Sequence, residues 1–210
     1  YALLAILARK WRLPMLLEQQ RKRTWRVHAT TPSALCTCAI VGVGEIGGRL
    51  ARHVHGLGMR VLGVRRSPAA HPAVDEMFTF AELEAVLSRA DFVVLALPLT
   101  NDTTKLIGAR ELSWMKAGSC LINVSRGGVV DEAALLSALE QQTIAGAVLD
   151  VTRIEPCPPD SPLWHAPNLV LTPHLAGQRS DYSEAAARIW VDNVHRYAVG
   201  ERPRPVYRNG

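Results

Sequence analysis

Three polar side chains of the sequence stand at the ends of apolar runs that predict β-strands. Arg126 follows "LINVS", Asp150 ends "AGAVLD", and His174 follows "NLVLTP". Ligands bind outside the carboxyl ends of the strands in a doubly wound sheet, so we expect these side chains to share one site. A guanidinium can hold a carboxylate through two parallel hydrogen bonds, and a histidine can exchange a proton near neutral pH. An arginine paired with a structural carboxylate and a packed histidine are the alternatives.

A glycine pattern of the kind that binds dinucleotide phosphates lies between a predicted strand and a predicted helix. In "GVGEIG", Gly42 allows a tight turn, Gly44 lets the backbone approach a pyrophosphate, and Gly47 permits close packing of helix on strand. The start of the helix, with Glu45 and Ile46, would then face the phosphates. A purely structural glycine turn is the alternative.

The end of the second predicted strand distinguishes the two nicotinamide dinucleotides. An NAD-selective site usually has Asp or Glu there to bind the ribose hydroxyls. This chain has Arg65, Arg66 and Ser67 instead, and two guanidiniums with a hydroxyl favour a 2′-phosphate. We therefore predict NADP as the cofactor, with NAD as the second choice. Solvated arginines of a surface turn are the structural alternative.

Short apolar runs that alternate with helical segments predict the fold class. The runs are continuous rather than alternating, as in strands covered on both faces, which indicates an α/β fold with a doubly wound parallel sheet. The predicted strands are "CAIVGVG", "MRVLGV", "DFVVLALP", "SCLINVS", "TIAGAVLDV" and "NLVLTP".

Three helices are predicted between these strands. The first follows the glycine turn and has one apolar face, made of Ile46, Leu50, Val54 and Leu57. The second, "TFAELEAVLSRA", begins with a capping box from Thr79 to Glu82. The third, "DEAALLSALEQQ", is capped by Asp131.

Three segments are predicted along the chain. Residues 1–26 form a basic amphipathic helix with a break at Pro14, residues 27–177 form the dinucleotide-binding domain, and residues 178–210 form a C-terminal helix and a Pro-rich tail. The net charge of +5 belongs to the first segment. That segment has seven Lys or Arg against Glu18, and the remainder has 17 basic and 18 acidic residues. A solvated basic face is favoured over nucleic-acid binding, because no nucleic-acid-reading motif accompanies it.

Composition and the first residues argue against a membrane-spanning or secreted protein. No apolar run reaches the roughly 18 residues that a membrane span needs. The opening "YALLAILA" lacks a starting Met and the preceding charges of a secretion signal, so we expect a fragment of a longer protein. The cysteines include the pair in "CTC", which we interpret as buried thiols rather than a metal site. A reducing, cytoplasmic setting is consistent with this usage.

The chain resembles the D-isomer-specific 2-hydroxyacid dehydrogenase family, whose relatives include glyoxylate/hydroxypyruvate reductases and phosphoglycerate dehydrogenases. The resemblance spans nearly the whole chain in the family's order. The matching segments are "GVGEIG", "LPLTNDTT", "INVSRGGVVDEAAL", "AGAVLDV" with a following "EP", "PLW" and "PNLVLTPHLAG".

The resemblance implies a Rossmann-type domain and a role for each matched residue. Arg126 would grip the carboxylate and carbonyl oxygen of the substrate, His174 would be the general acid and base, and Glu155 would hydrogen-bond His174. The implied reaction is hydride transfer between NADP(H) and a small 2-keto or D-2-hydroxy acid, such as glyoxylate or hydroxypyruvate. The cofactor would be contacted by Pro98, Thr103, Val124, Asp150 and Gly177.

The sequence departs from the family in two respects, and three alternative functions are compatible with it. Thr152 stands where the family usually has an aromatic residue, and the family's N-terminal half-domain, which helps to bind the substrate, is absent from the chain. The terminal helices would contact that second domain, and the resemblance implies a homodimer held by residues 1–26. The rivals are a non-catalytic dinucleotide sensor of the corepressor type, a formate dehydrogenase, and an inactive truncated product.

Overall fold

The computed structural model of the chain describes residues 1–67, 69–178 and 180–204. The chain divides into two compact units, residues 1–176 and residues 177–210. The first unit is built on one sheet of seven strands. They are β1 (Thr37–Val41), β2 (Arg60–Val64), β3 (Glu76–Phe78), β4 (Phe92–Leu95), β5 (Cys120–Asn123), β6 (Gly146–Leu149) and β7 (Leu169–Leu171).

The strand order confirms the predicted doubly wound, Rossmann-type sheet. Across the sheet the order is β3-β2-β1-β4-β5-β6-β7, and each neighbouring pair runs parallel. The direction of winding reverses between β1 and β4. Such a switch point leaves a crevice outside the carboxyl ends of these two strands, where this class of fold binds its ligands.

Helices cover both faces of the sheet, and the predicted caps are confirmed. The Thr79 backbone N–H donates to Glu82 Oε2 at 2.9 Å, which closes the capping box. Asp131 accepts hydrogen bonds from the backbone of Ala133 and Ala134 at the start of the helix Glu132–Glu140. The helices are α1 (Ala2–Lys10), α2 (Leu13–Arg21), α3 (Glu45–Gly56), α4 (Leu83–Leu87), α5 (Ala109–Trp114), α6 (Glu132–Glu140) and α7 (Tyr182–Ala198).

The predicted apolar face of α3 is correct in its middle and wrong at its ends. Leu50 and Val54 are buried, whereas Ile46 is 63% exposed and Leu57 is 40% exposed. Ile46 lies in the first turn of α3, beside the glycine turn at the carboxyl edge of the sheet. An apolar residue at that edge is available to a ligand rather than to the core.

Two elements escaped the prediction from sequence. The strand β3 has three residues, all only half-buried, at the edge of the sheet. The helix α5 has six residues and begins at Gly108 with a capping interaction from Glu111. Both are too short to give a readable hydrophobic period.

Residues 1–26 form two helices rather than one. The break lies at Trp11 and Arg12, and Arg12 has a left-handed φ of 52°. Pro14 lies in the first turn of α2, where its missing N–H costs nothing. In α1, Ala5 and Ile6 are buried in the core, so this helix packs on the sheet. The large apolar residues left exposed on the two helices and at the break between them are Leu4, Trp11, Leu13, Leu16 and Leu17.

Three of the four cysteines are buried thiols, as predicted for "CTC". Cys36, Cys38 and Cys120 are buried, and Cys157 is half-buried. Burial raises the pKa of Cys38 to about 12 and that of Cys120 to about 11. Among the described residues, none of the helices is both long and apolar enough to cross a membrane.

The second unit contains the predicted C-terminal helix. The helix α7 ends before Gly200, which has a φ of 77° as expected of a glycine stop. No side chain of α7 is buried within the described chain. Its exposed apolar residues include Ile189, Trp190 and Val194. The end of the Pro-rich tail, residues 205–210, lies outside the described residues.

Candidate active site

The glycine turn after β1 is fixed by two close backbone approaches. Gly42 has a φ of 103°, and a Cβ atom there would lie 2.4 Å from the carbonyl oxygen of Ala96. A Cβ atom on Gly47 would lie 2.0 Å from the carbonyl oxygen of Gly42. Larger residues at these positions would therefore separate α3 from the sheet.

The third glycine of the motif leaves room for a ligand. Apart from its two neighbours in the chain, no described residue has an atom within 4 Å of the position that a Cβ on Gly44 would take. Gly44 directly precedes α3, whose first backbone N–H groups have no partner within the helix, and both Glu45 and Ile46 are exposed. Open space beside a helix N-terminus fits the pyrophosphate of a dinucleotide.

The basic residues after β2 lie beside this turn. Arg65 is half-buried, and its Nε donates to the carbonyl oxygen of Ser67 at 2.6 Å. Its Nη1 reaches the carbonyl oxygen of Val43, inside the glycine motif, at 3.5 Å. The guanidinium of Arg65 is therefore held between the glycine turn and the loop after β2. Arg66 and Ser67 are exposed.

Thr103 shapes the loop after β4. Its hydroxyl donates to the carbonyl oxygen of Pro98 at 2.7 Å and accepts from the N–H of Thr100 at 2.7 Å. Because the hydroxyl is engaged by the loop, Thr103 would support a cofactor by holding the exposed Pro98 in place. Val124, half-buried after β5, donates its N–H to Leu95 at 3.3 Å.

Arg126 is presented by a turn that a buried asparagine organises. The side chain of Asn123 donates to the carbonyl oxygen of Arg126 at 3.0 Å and accepts from the N–H and hydroxyl of Ser125 at 3.0 and 2.7 Å. Arg126 is exposed beyond this turn. Sequence reasoning missed Asn123, although a polar residue inside the apolar run "LINVS" was a readable signal.

The turn of Arg126 packs tightly against the loop that follows β6. A Cβ atom on Gly127 would lie 2.0 Å from the carbonyl carbon of Thr152 and 2.3 Å from the nitrogen of Arg153. Gly127 therefore allows these two strand-end loops to touch. Its role in joining the loops also went unpredicted.

His174 and Glu155 form a hydrogen-bonded pair. His174 Nδ1 lies 2.7 Å from Glu155 Oε2, and both side chains are exposed. A carboxylate only accepts, so Nδ1 carries the proton of this bond and Nε2 is left for another partner. His174 has a φ of 50°, which a side-chain-bearing residue seldom adopts, and its N–H donates to the carbonyl oxygen of Asp150 at 2.7 Å.

Asp150 holds the turn that carries His174. Its buried carboxylate accepts from the Thr172 hydroxyl at 2.6 Å and from the N–H groups of Leu175 and Ala176 at 3.0 and 2.7 Å. The Tyr1 hydroxyl lies 2.5 Å from Thr172 Oγ1. Burial raises the pKa of Tyr1, the hydrogen bond to Thr172 lowers it, and the nearby Asp150 carboxylate raises it further.

The described residues thus bring most of the predicted site together. Arg126, Asp150 and His174 follow the neighbouring strands β5, β6 and β7, and Glu155 reaches His174. A cavity of about 540 Å³ adjoins the pair and is lined partly by Trp164, which sequence reasoning did not select. Gly177 begins the second unit, so its cofactor contact stays a prediction.

The described side chains contain no group of three or more His, Cys, Asp or Glu residues able to hold a metal ion. The chemistry that the strand ends offer is instead that of an exposed guanidinium and a carboxylate-oriented imidazole. The first can bind an anion, and the second can give or take a proton.

Comparison with known families gives one match over most of the chain. Residues 3–176 match the family described as "D-isomer specific 2-hydroxyacid dehydrogenase, NAD binding domain". The chain is 41% identical over 170 residues to a glyoxylate reductase from Korarchaeum cryptofilum, covering 80% of this chain and 50% of the relative. It is 43% identical over 162 residues to a glyoxylate/hydroxypyruvate reductase B from Escherichia fergusonii, covering 75% and 49%. The chain spans about half the length of the curated relatives it matches.

The chain is also similar to solved structures of the same family. A D-isomer specific 2-hydroxyacid dehydrogenase from Xanthobacter autotrophicus Py2, in complex with NADPH and MES, superposes with a TM-score of 0.90 at 35% identity, over 97% of this chain and 83% of that one. An NADPH-dependent glyoxylate/hydroxypyruvate reductase from Sinorhizobium meliloti, in complex with NADP and sulfate, gives 0.92 at 31% identity, over 98% and 66%.

Proposed function

Because the chain belongs to the D-isomer specific 2-hydroxyacid dehydrogenase family, we propose that it is the cofactor-binding part of an NADP-dependent oxidoreductase. The substrate would be a small 2-keto acid such as glyoxylate or hydroxypyruvate, and the product its D-2-hydroxy acid. The observation that carries this proposal is the His174–Glu155 pair at 2.7 Å, beyond the same edge of the sheet as the glycine turn.

His174 would supply the proton of the reaction. A bound dinucleotide supplies the hydride that such a reduction needs. The Nδ1–H of His174 is donated to Glu155, so its Nε2 can present a proton to the carbonyl oxygen of the substrate. Glu155 would also set the orientation and the tautomer of the imidazole for this transfer.

Arg126 would orient the substrate. Its exposed guanidinium offers paired donors to a carboxylate, which fixes the face of the keto carbon presented to the cofactor. The names of the relatives, glyoxylate reductase and glyoxylate/hydroxypyruvate reductase, support small 2-keto acids as substrates.

Arg65, and the exposed Arg66 and Ser67, would select NADP. The guanidinium of Arg65 is tied to the glycine motif through Val43, so its charge lies where a 2′-phosphate would extend from a dinucleotide on that motif. Two related structures were solved with NADPH or NADP bound, which supports the same choice.

We also propose a cytoplasmic homodimer held by α1 and α2. Exposed apolar side chains such as Leu4, Leu16 and Leu17 form a surface that water disfavours. Free cysteines fit a reducing compartment.

The test is NADPH oxidation by the full-length protein with glyoxylate or hydroxypyruvate, beside a separate assay of NADP reduction with formate. Turnover of a 2-keto acid that is faster with NADPH than with NADH supports the proposal. Tight NADPH binding without turnover of any 2-keto acid would favour the corepressor type of sensor. Reduction of NADP by formate would favour a formate dehydrogenase.

A further inference from the structure

Thr152 bonds Glu155 of the His174–Glu155 pair through its backbone, and its hydroxyl bonds the residue before Glu155. It follows β6 by a few residues and is buried. Its backbone N–H donates to Glu155 Oε1 at 3.1 Å. Its hydroxyl donates to the carbonyl oxygen of Ile154 at 2.7 Å, which closes a local turn directly before Glu155.

These bonds hold the carboxylate of Glu155 at both oxygens. Oε1 accepts from the Thr152 backbone, and Oε2 is bonded to His174 Nδ1. An exposed glutamate held by one partner alone would rotate about its side-chain bonds, whereas a second bond fixes the direction of the oxygen that faces the imidazole. The turn closed by the Thr152 hydroxyl sets where the Glu155 side chain starts.

The other side of Thr152 lies against the turn of Arg126. A Cβ atom placed on Gly127 would lie 2.0 Å from the carbonyl carbon of Thr152. Its neighbour Arg153 donates a backbone N–H to Glu132 Oε1 at 2.6 Å, which ties the same loop to α6. Thr152 thus joins the segment that carries the guanidinium to the segment that orients the imidazole.

We propose that Thr152 is a positioning residue whose hydroxyl-closed turn sets Glu155, and through it His174, relative to Arg126. The proposal rests on the proposed function for its catalytic consequence. The hydrogen bonds on which it depends can be tested without turnover.

The structural arm of the test uses the 210-residue chain with ¹⁵N-labelled histidine. The Nδ1–H resonance of His174, identified by its loss in His174→Ala, should appear downfield because its proton is shared with a carboxylate. Thr152→Val replaces the hydroxyl with a methyl group and should broaden or abolish this resonance. Thr152→Ser keeps the hydroxyl and should retain it. Ser113→Ala removes another hydroxyl-to-carbonyl bond of 2.7 Å, on α5, and should leave the resonance unchanged.

The kinetic arm uses the full-length protein. Thr152→Val should lower kcat about tenfold, since proton transfer depends on orientation, with the KM for NADPH unchanged. Thr152→Ser should restore kcat to within about twofold, because the turn is closed again. An intact resonance and normal kcat in Thr152→Val, or a serine variant that behaves like the valine variant, would overturn the proposal.

Two outcomes, a Thr152→Val variant that does not fold and a full-length protein without activity, are interpreted separately. If Thr152→Val does not fold, Thr152→Ser and Thr152→Ala differ by the hydroxyl alone, and equal resonances in these two would overturn the proposal. If the unmodified full-length protein reduces no 2-keto acid, the proposed function fails, while the resonance comparison still decides the role of Thr152.

Discussion

The hydroxyl of Tyr1, at the start of α1, lies 2.5 Å from Thr172 Oγ1, which in turn donates to the carboxylate of Asp150 at 2.6 Å. A carboxylate only accepts hydrogen bonds, so the Thr172 hydroxyl directs its proton to Asp150. The Tyr1 hydroxyl must therefore donate to Thr172 Oγ1. The same carboxylate accepts from the backbone N–H groups of Leu175 and Ala176, the two residues directly after His174. The N-terminal helix is thereby connected to the turn that carries the imidazole.

Loss of the Tyr1 hydroxyl, at the end of this hydrogen-bond network, should reduce stability less than loss of the Thr172 hydroxyl in its middle. Tyr1→Phe loses one hydrogen bond and should lower the free energy of unfolding by about 1 kcal/mol. Thr172→Val takes a donor from a buried carboxylate and should cost about 1–3 kcal/mol. Because the two hydroxyls are bonded to each other, the double variant should cost less than the sum. Urea unfolding checks this, and fully additive losses would show that the hydroxyls act independently.

Arg65 should determine the choice of cofactor. We expect NADPH to bind at least about tenfold more tightly than NADH, or about 1.4 kcal/mol. Arg65→Asp should erase or reverse this preference, because a carboxylate repels a 2′-phosphate and binds ribose hydroxyls. Arg110→Ala, which removes an equal charge from α5, serves as the control and should keep the preference. Calorimetric titration of both cofactors measures it, and equal affinities in the unmodified chain would contradict the assignment.

Cys157 should be the thiol that reacts first in the folded chain. It is half-buried, whereas Cys36, Cys38 and Cys120 are buried, and burial raises the pKa of each of these three. A raised pKa leaves less of the reactive thiolate near neutral pH. Alkylation followed by mass spectrometry should show modification at Cys157 first, with the other three modified only after unfolding. Equal rates for Cys157 and Cys38 in the native chain would refute the burial described.

Asp131 should make part of the stability depend on pH. The Lys105 ammonium, 3.0 Å away, and then the N–H of Ala134 lower the pKa of its carboxyl. A lowered pKa means a contribution that is present above the ordinary aspartate range and lost as the pH falls through the folded value. Asp131→Asn keeps a capping oxygen but cannot titrate. Its unfolding free energy should therefore change less between neutral and acidic pH than that of the unmodified chain, and identical pH profiles would contradict this.

The sequence predicted the elements whose signals are local and strong. The strands β1, β2, β4, β5, β6 and β7 have continuous apolar runs, and the caps at Thr79 and Asp131 depend on residues three positions apart or fewer. The strand β3 and helix α5 were missed, because three and six residues are too few to show a period. The break in residues 1–26 was placed at Pro14, whereas the chain turns at Arg12, since proline is tolerated in the first turn of a helix.

The residues of the candidate site were likewise predicted only in part. Arg126, Glu155 and His174 could be named because their types and positions at strand ends suit proton transfer and carboxylate binding. The roles of Asn123 and Thr152 went unpredicted although both residues stood out, Asn123 as a polar residue inside an apolar run and Thr152 as a departure from the family. The role of Gly127 could not be predicted, because it depends on a contact between loops far apart in sequence. Gly127 matters because the backbone of Thr152, in the loop after the neighbouring strand β6, lies against it.

The most direct test of the account is the turnover of His174→Ala in the full-length protein, measured beside its affinity for NADPH. We expect kcat for glyoxylate or hydroxypyruvate to fall by roughly 10²–10⁴, the usual share of acid–base catalysis, while NADPH binds as before. Glu155→Gln should also lower kcat, because an amide can donate to Nδ1 as well as accept from it and so no longer fixes the proton there. Near-normal turnover by His174→Ala would show that His174 is a packing residue and would contradict the account.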